Sequence, residues 1–240
     1  MERVKFQTNT INLEAEGEKA LKWAESVIEK VTAPVVMFQE LGIHSTHTFL
    51  EDLSTAKIGD YIIAELTDGR KARFDVTDIG DGWIRFDSRD CLGHTVWNEN
   101  RKTSRGVAVS DLQRYLNEDM AELLPEYLKA RIINTKRKYM DGDQEKEYTT
   151  ALFVPDESEL FDDDLYGAKL YGRLEYYKDR RNRMKGVTPG EDTAGWWLAS
   201  AVASSSATAV RVSDAGHSGY YYASYSFSVP VCFRIATQSR

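Results

Sequence analysis

The side chains best suited to chemistry in this 240-residue chain lie in one stretch near its C-terminus. Residues 199–235 include no Lys, Glu, Gln, Met, Trp or Asn, whereas the rest of the chain uses Lys and Glu freely. Ser, Ala, Gly and Tyr take their place. Tyrosine offers a flat apolar ring with a polar tip and only two rotatable angles, so it contacts a partner at low entropic cost. The composition therefore predicts a recognition surface.

The predicted binding surface combines tyrosine rings with hydroxyl groups and one imidazole, which add directional hydrogen bonds. Because nothing in this set pairs a nucleophile with a base, its expected role is binding. Its members are Ser200, Ser204, Ser205, Ser206, Thr208, Ser213, His217, Ser218, Tyr220, Tyr221, Tyr222, Ser224 and Tyr225.

Alternating apolar residues are expected to carry this surface. Every second residue from Phe227 to Ile235 is apolar, which is the period of a half-buried strand. Val210 and Val212 alternate with smaller or polar residues and indicate a second strand. The predicted scaffold consists of Trp197, Leu198, Val210, Val212, Val229, Val231 and Phe233.

The sequence carries none of the common catalytic or cofactor motifs. It has no Gly-rich phosphate loop, no GxSxG, no HExxH and no CxxC. His44 and His47 lack the carboxylate or cysteine companions of a zinc site. The acidic runs at residues 141–143 and 162–164 lack the spacing of a calcium loop. We therefore expect no catalytic residues, no metal and no cofactor.

Charge and cysteine content restrict the class of partner. The net charge of -7 argues against a nucleic-acid partner. A solvated helix face is the favoured interpretation of the basic stretch Arg173–Lys185, and a phosphate or nucleic-acid site is the alternative. Cys91 and Cys232 are too few for a disulfide framework and are predicted to be buried free thiols, with a bridge or a nucleophile as alternatives.

The lengths of the apolar runs and the N-terminal residues indicate where the protein is located. No run approaches the length of a membrane span, so no membrane insertion is expected. The N-terminal residues show no apolar core of a signal peptide, which predicts synthesis in the cytoplasm. Incorporation into a phage particle is one route by which such a protein would reach the outside of a cell.

Two regions are predicted along the chain. In residues 1–55, Asn12 is expected to cap a helix running to about Val31. The helix is expected to pack on its own domain, with a homo-oligomer contact through this helix as the alternative. Residues 56–240 are predicted to form the main domain, with residues 199–228 as its ligand-binding region.

The main domain is predicted to be α+β. Three strands should follow residue 56, joined by hairpin turns at Asp68-Gly69 and at residues 80–82. Ser110 and Asp156 each begin a predicted helix, with Gln or Glu three residues further on, as in a capping box. Long irregular connections near the C-terminus complete the expected fold.

Several ordered motifs resemble one family of uncharacterised domains from gut bacterial and phage proteins. Members of that family typically carry an RYLN helix, LLP before the next helix, and WWLRS before a final GVRP strand. Residues 114–117, 123–125 and 196–198 match the first three motifs, and the resemblance covers about residues 57–235. The chain departs from the family pattern at Ala199, where Arg is usual, and at Val229–Val231.

The resemblance implies a C-type-lectin-like fold in its formylglycine-generating-enzyme-like form. That fold also hosts the variable proteins of diversity-generating retroelements, in which AAC codons become NNC. Such codons cannot encode Lys, Glu, Gln, Met or Trp, the residues missing from 199–235. An undiversified family member with loops rich in Ser, Tyr and Gly is the alternative source of this composition.

These observations predict a ligand-binding protein, not an enzyme, whose partner is a protein or glycan on a cell surface. The resemblance implies that it is the diversified protein of a retroelement, encoded by a phage or by a cell. The first alternative is a structural phage or host protein whose C-terminal loops pack against a neighbouring subunit. The second is an enzyme similar to the formylglycine-generating relatives, although Cys91 and Cys232 do not form a close thiol pair in sequence.

Overall fold

The computed structural model describes residues 3–7, 12–16, 53–187 and 192–237, in two compact units. In the first unit, residues 1–37, strand β1 (Arg3–Gln7) pairs antiparallel with strand β2 (Asn12–Glu16). The prediction of a helix beginning at Asn12 is therefore wrong. In the sequence NLEAE, Leu and Ala alternate with polar residues, and this period of two suits a strand.

Other predictions for the N-terminal region fall on residues that the structure does not describe. These are the remainder of the proposed helix to Val31, its role as an oligomer contact, and His44 with His47.

The second unit, residues 38–240, is an α+β domain, as predicted. Its helices are α1 (Asp111–Tyr115), α2 (Ala121–Leu123), α3 (Glu126–Lys129) and α4 (Glu157–Leu160), and a π-helical turn, Leu116–Met120, joins α1 to α2. Its strands are β3 (Tyr61–Glu65), β4 (Lys71–Gly80), β5 (Trp83–Ser88), β6 (Gly93–Val96), β7 (Ile132–Ile133), β8 (Thr135–Asp141), β9 (Gln144–Thr150), β10 (Lys185–Gly186), β11 (Thr193–Ala194), β12 (Trp196–Ala201), β13 (Thr208–Val212), β14 (Ser218–Tyr222), β15 (Ser226–Val229) and β16 (Cys232–Ala236).

Two five-stranded sheets dominate this unit. The first sheet has the order β3-β4-β5-β16-β7 and is antiparallel throughout. The second has the order β14-β13-β12-β15-β6, in which only β12 and β15 run parallel. Strands β8 and β9 form a separate hairpin. The tyrosine-bearing strand β14 thus lies at one edge of the second sheet.

Local signals in the sequence place several of these elements correctly. The hairpin turns before β4 and β5 contain Gly69 and Gly82, which adopt positive φ values that favour glycine. The Ser110 hydroxyl accepts a hydrogen bond from the Gln113 amide and caps α1. Asp156 and Glu159 form the predicted capping box at the start of α4.

The predicted alternating strand from Phe227 to Ile235 is wrong as a single element. It consists of β15 in the second sheet and β16 in the first, separated by Pro230 and Val231. Proline cannot donate to a strand ladder, so the pairing ends there. Because this crossing segment and Cys232 are buried, the apolar period does not mark one half-exposed face.

The predicted scaffold is confirmed, because all its side chains are fully buried. Trp197 packs in the main core, and Trp196 belongs to a second cluster with Leu198. The indole N–H of Trp197 donates to the Thr95 carbonyl oxygen at 3.0 Å and so satisfies its only polar atom. The pair of tryptophans therefore anchors the second sheet from both sides.

Replacing Trp197 with Ala should lower the free energy of unfolding by about 3–5 kcal/mol, because a large buried ring leaves a cavity that the sheet cannot close. Urea unfolding followed by tyrosine and tryptophan fluorescence measures this loss. A variant with the wild-type unfolding midpoint would contradict a core role for this side chain.

Candidate functional site

Strand β14 and the turn that follows it present a cluster of exposed tyrosines. Tyr220, Tyr221, Tyr222 and Tyr225 are 51, 39, 51 and 49 % exposed. Such large side chains are usually buried, so four exposed tyrosines on one edge strand and its turn mark a candidate interaction site. Successive strand residues face opposite sides, so Tyr221 shares the face of Arg211, whereas Tyr220 shares that of Val210. Tyr166, from the loop after α4, joins them through an edge-to-face contact with Tyr220 at 4.8 Å between ring centroids. We call these five residues the tyrosine surface.

The tyrosine surface rests on the core through a chain of aromatic contacts. Tyr221 lies 4.6 Å from Tyr225 and 5.5 Å from Phe227, measured between ring centroids. Phe227 in turn packs edge-to-face on the buried Trp197 at 4.9 Å. The outer rings are therefore held in place by an immobile inner ring, which lowers the entropy they lose on binding.

The remaining predicted site residues divide by burial. Most of them border the tyrosine surface in the turns on either side of β13 and β14. Ser204, Ser206 and His217 are exposed, whereas Ser205, Ser213, Ser218 and Ser224 are half-buried.

Ser200 and Thr208 are corrections to the predicted surface, since both are buried. Ser200 lies in β12 beneath the surface, where its hydroxyl donates to the Asp156 carboxylate at 2.6 Å. Thr208 begins β13 in a buried position. Their hydroxyl groups resemble those of the exposed serines in sequence, but β12 and β13 are buried on both faces at these positions. Both residues belong to the scaffold.

Helix α4 positions the tyrosine surface through Glu157, which is fully buried. One carboxylate oxygen of Glu157 accepts from the Ser218 hydroxyl at 2.6 Å, at the start of β14. The other accepts from the Gly167 amide at 2.8 Å, next to Tyr166. A single carboxylate thus ties the edge strand and the loop of Tyr166 to the same helix.

Glu159, on the same helix, anchors α4 in a buried ion network. Its carboxylate accepts from Arg85 of β5 at 2.6 Å and from both terminal nitrogens of Arg137 of β8 at 2.6 and 2.7 Å. Burial alone would raise the pKa of Glu159, but the two guanidinium groups outweigh it and lower the pKa to about 2. Arg85 also pairs with Asp87 at 2.8 Å. The network locks α4 to the first sheet and to the β8–β9 hairpin.

Asp156 is the N-cap residue of α4, and its pKa is shifted in the opposite direction to that of Glu159. Burial raises its pKa to about 6, although hydrogen bonds from Ser158 and Ser200 favour the charged form. A cavity of about 20 Å³ lies against Asp156 and Ser200, enough for roughly one water molecule. Asp156 therefore holds β12, Glu157 holds β14 and the loop of Tyr166, and Glu159 holds β5 and β8.

The basic stretch Arg173–Lys185 is not one regular helix, although Lys178, Arg180 and Arg181 on it are exposed to solvent as predicted. It forms two 3₁₀ turns, Glu175–Lys178 and Arg180–Arg183. Tyr176 and Tyr177 are buried and donate their hydroxyl protons to Asp75 and Asp87 of the first sheet. The stretch packs because these phenols reach carboxylates some 90 to 101 residues away, and no local pattern signals that.

Both cysteines are buried and free, as the favoured interpretation predicted. Burial raises the pKa of the Cys91 thiol to about 12, and burial together with Asp87 raises that of Cys232 well above its usual range. A reactive cysteine needs an accessible thiolate. Neither thiol meets this requirement in the structure.

The described ranges contain neither a metal-binding cluster nor a membrane-spanning helix. No group of three or more His, Cys, Asp or Glu side chains there could hold a metal ion. Of the acidic runs, Asp162 pairs with Arg173 at 2.9 Å and Asp141 with Lys146 at 2.5 Å. Among the residues described, no helix is long and apolar enough to cross a membrane.

A family model described as a domain of unknown function, DUF6273, matches residues 85–237. The chain belongs to this family. The match spans both sheets from β5 to β16 and includes the tyrosine surface. It agrees with the resemblance to a family of uncharacterised domains, while the link to retroelements stays a prediction. Neither curated proteins nor solved structures gave a match.

Simultaneous replacement of Tyr220, Tyr222 and Tyr225 by Ser should change the melting temperature little. These rings are about half exposed, and surface substitutions usually alter stability by less than about 0.5 kcal/mol each. Differential scanning calorimetry tests this, with Tyr177→Ser as the buried control, which should unfold at a clearly lower temperature. A similar collapse in the triple variant would show that the three rings are needed for folding.

Asp156 predicts a specific pH dependence of stability. Its pKa is raised from 3.8 to about 6 in the folded protein, so the folded state binds an extra proton between these values. This contribution is present below pH 4 and is lost as the pH rises through 6, by about 3 kcal/mol. The difference in unfolding free energy between wild type and Asp156→Asn should therefore decline over that range.

The matched control is Asp163→Asn, because Asp163 is exposed and lies in the same part of the chain. This variant should follow the wild-type pH profile from pH 4 to pH 6. A wild-type profile in Asp156→Asn as well would mean that Asp156 does not titrate in this range.

Proposed function

We propose that this protein is a ligand-binding protein whose tyrosine surface recognises a partner on a cell surface. The observation that carries the proposal is the group of four tyrosines, 39 to 51 % exposed, on an edge strand held by a buried frame. Tyrosines on a rigid frame are the usual means of recognition in antibody-like binding surfaces. Binding energy at such surfaces concentrates in a few aromatic anchors.

The position of the exposed tyrosines supports recognition of another molecule's surface more than enclosure of a small ligand in a cavity. The exposed rings lie along one strand and one turn, and neither the small cavity at Asp156 nor the groove along residues 98–114 includes them. Small-molecule sites are typically concave, so exposed tyrosines that lie outside both cavities favour a macromolecular partner. Both buried thiols lack the exposure that an oxidase-like enzyme would need, which makes catalysis the weaker candidate.

The proposal extends to a variable protein of a diversity-generating retroelement with a C-type-lectin-like fold. Support for this part comes from the missing Lys, Glu, Gln, Met and Trp in residues 199–235. Most exposed positions in that region are tyrosines and serines, and most lie in turns or on the edge strand β14, where substitution disturbs folding least. A reverse-transcriptase gene and a near-repeat of the 3′ coding end beside this gene would be the genomic signature.

Replacing Tyr221 or Tyr222 with Ala should weaken binding to the cell-surface partner, by more than about 1 kcal/mol where the ring is an anchor. A pull-down from bacterial surface extracts, followed by titration of the captured partner, measures the loss. The matched control is Ile79→Ala, because Ile79 is 42 % exposed but lies in β4 of the first sheet.

The same assay separates binding from catalysis. Changing Cys91 and Cys232 together to Ala should leave capture intact, since both thiols are buried away from the surface. Loss of function in this double variant, with the fold preserved and no effect from the tyrosine variants, would refute the binding proposal and favour the oxidase-like alternative.

A further inference from the structure

Arg211 lies beside the rings of Phe227 and Tyr221, and its side chain makes no hydrogen bond or ion pair to any residue that the structure describes. Its guanidinium carbon is 4.9 Å from the Phe227 ring centroid and 6.0 Å from that of Tyr221. The Nε–H is buried and finds no acceptor, and no carboxylate pairs with the group, among the residues that the structure describes. By contrast, Arg101 at the border of the surface donates to the Ser224 hydroxyl at 3.0 Å.

An unpartnered guanidinium in such a position calls for an explanation. Buried polar groups in folded proteins are nearly always hydrogen-bonded, because a buried donor without an acceptor is unfavourable. Stacking on aromatic rings offsets part of this, but it uses none of the N–H donors. The donors of Arg211 are therefore free for an acceptor from outside the chain.

Glycines lie on both sides of Arg211 and have different roles. Directly opposite on β14 is Gly219, and a methyl group built there would meet no atom within 4 Å, so the space on this side is open. A methyl group at Gly195, just before β12, would meet an Arg211 nitrogen at 2.5 Å, so this glycine makes room for the guanidinium itself. We call the open space at Gly219, beside Arg211, Tyr221 and Phe227, the notch.

We infer that this notch receives an aspartate or glutamate carboxylate of a protein partner. The inference rests on the proposed function and adds the chemistry of the partner. A planar guanidinium with free donors matches a carboxylate, which accepts two parallel hydrogen bonds. Aromatic sides reduce water access and strengthen this pairing. The exposed tyrosines beside the notch favour a protein segment over a small acidic molecule.

A displayed library of random peptides tests this inference directly. Wild-type protein should enrich peptides with an acidic residue beside aromatic or aliphatic residues, and Arg211→Met should enrich peptides without that preference. The matched control is Arg131→Met, which removes the same charge from an exposed position just before β7. It should retain the wild-type preference.

Affinities of one enriched peptide complete the test. Replacing its acidic residue with the corresponding amide should weaken binding to wild type roughly tenfold or more, and should leave binding to Arg211→Met nearly unchanged. Gly219→Val fills the notch while keeping Arg211, and valine suits a strand, so this variant should fold and lose the acid preference. Arg211→Lys keeps the positive charge but loses the paired N–H donors of the guanidinium, so it should bind the peptide with an affinity between those of wild type and Arg211→Met.

The outcomes distinguish this inference from the proposed function. Enriched peptides that lack an acidic residue, but depend on Tyr221, would refute the carboxylate and leave the tyrosine surface as a binding site. Equal losses in wild type and Arg211→Met on amide replacement would also refute it. Absence of any enriched peptide, or Arg211-dependent binding of acidic glycans on a glycan array, would refute a protein partner. Peptides enriched independently of both Arg211 and the tyrosines would refute both proposals.

Discussion

The structure depends on one buried carboxylate, that of Glu159, which holds two arginines from distant strands. An uncompensated charge in the interior is strongly unfavourable, so Arg85, Arg137 and Glu159 must be assembled together. Their assembly joins the first sheet, the β8–β9 hairpin and helix α4. Because α4 also carries Asp156 and Glu157, this ion network fixes where the second sheet and the tyrosine surface can lie.

This arrangement separates the groups that hold the surface from the groups that form it. Glu157 binds the Ser218 hydroxyl and a backbone amide, and Trp197 supports Phe227 from below. The exposed tyrosine side chains contribute little to these links. Under the proposed function, substitution of the outer rings would alter what the surface recognises while the frame stays intact. Ser218 is an exception among the predicted surface residues, because its hydroxyl holds the edge strand.

The sequence predicted those features that rest on local chemistry. The glycine turns before β4 and β5, the capping box of α4 and the buried scaffold each follow from neighbouring residues or strand parity. Parity failed at Pro230, since one apolar period continues across two strands in different sheets. Composition failed for Ser200 and Thr208, because it does not show that β12 and β13 are buried on both faces at these positions. The link between Arg85 and Glu159 spans 74 residues and left no local pattern.

Arg211 illustrates the same limit at the candidate site. In the sequence it is one arginine within an alternating strand, with nothing to distinguish it from a solvated residue. Its meaning comes from cross-strand register, which sets glycine opposite it and Trp197 on its other side, and from the aromatic rings that lie around it. The pairing of β12, β13 and β14 therefore leaves the Arg211 side chain without a covering side chain on the β14 side. Under the proposed function, tyrosine would give the surface its area, and the pairing of β12, β13 and β14 would give it one polar position at which partners of different charge can be told apart.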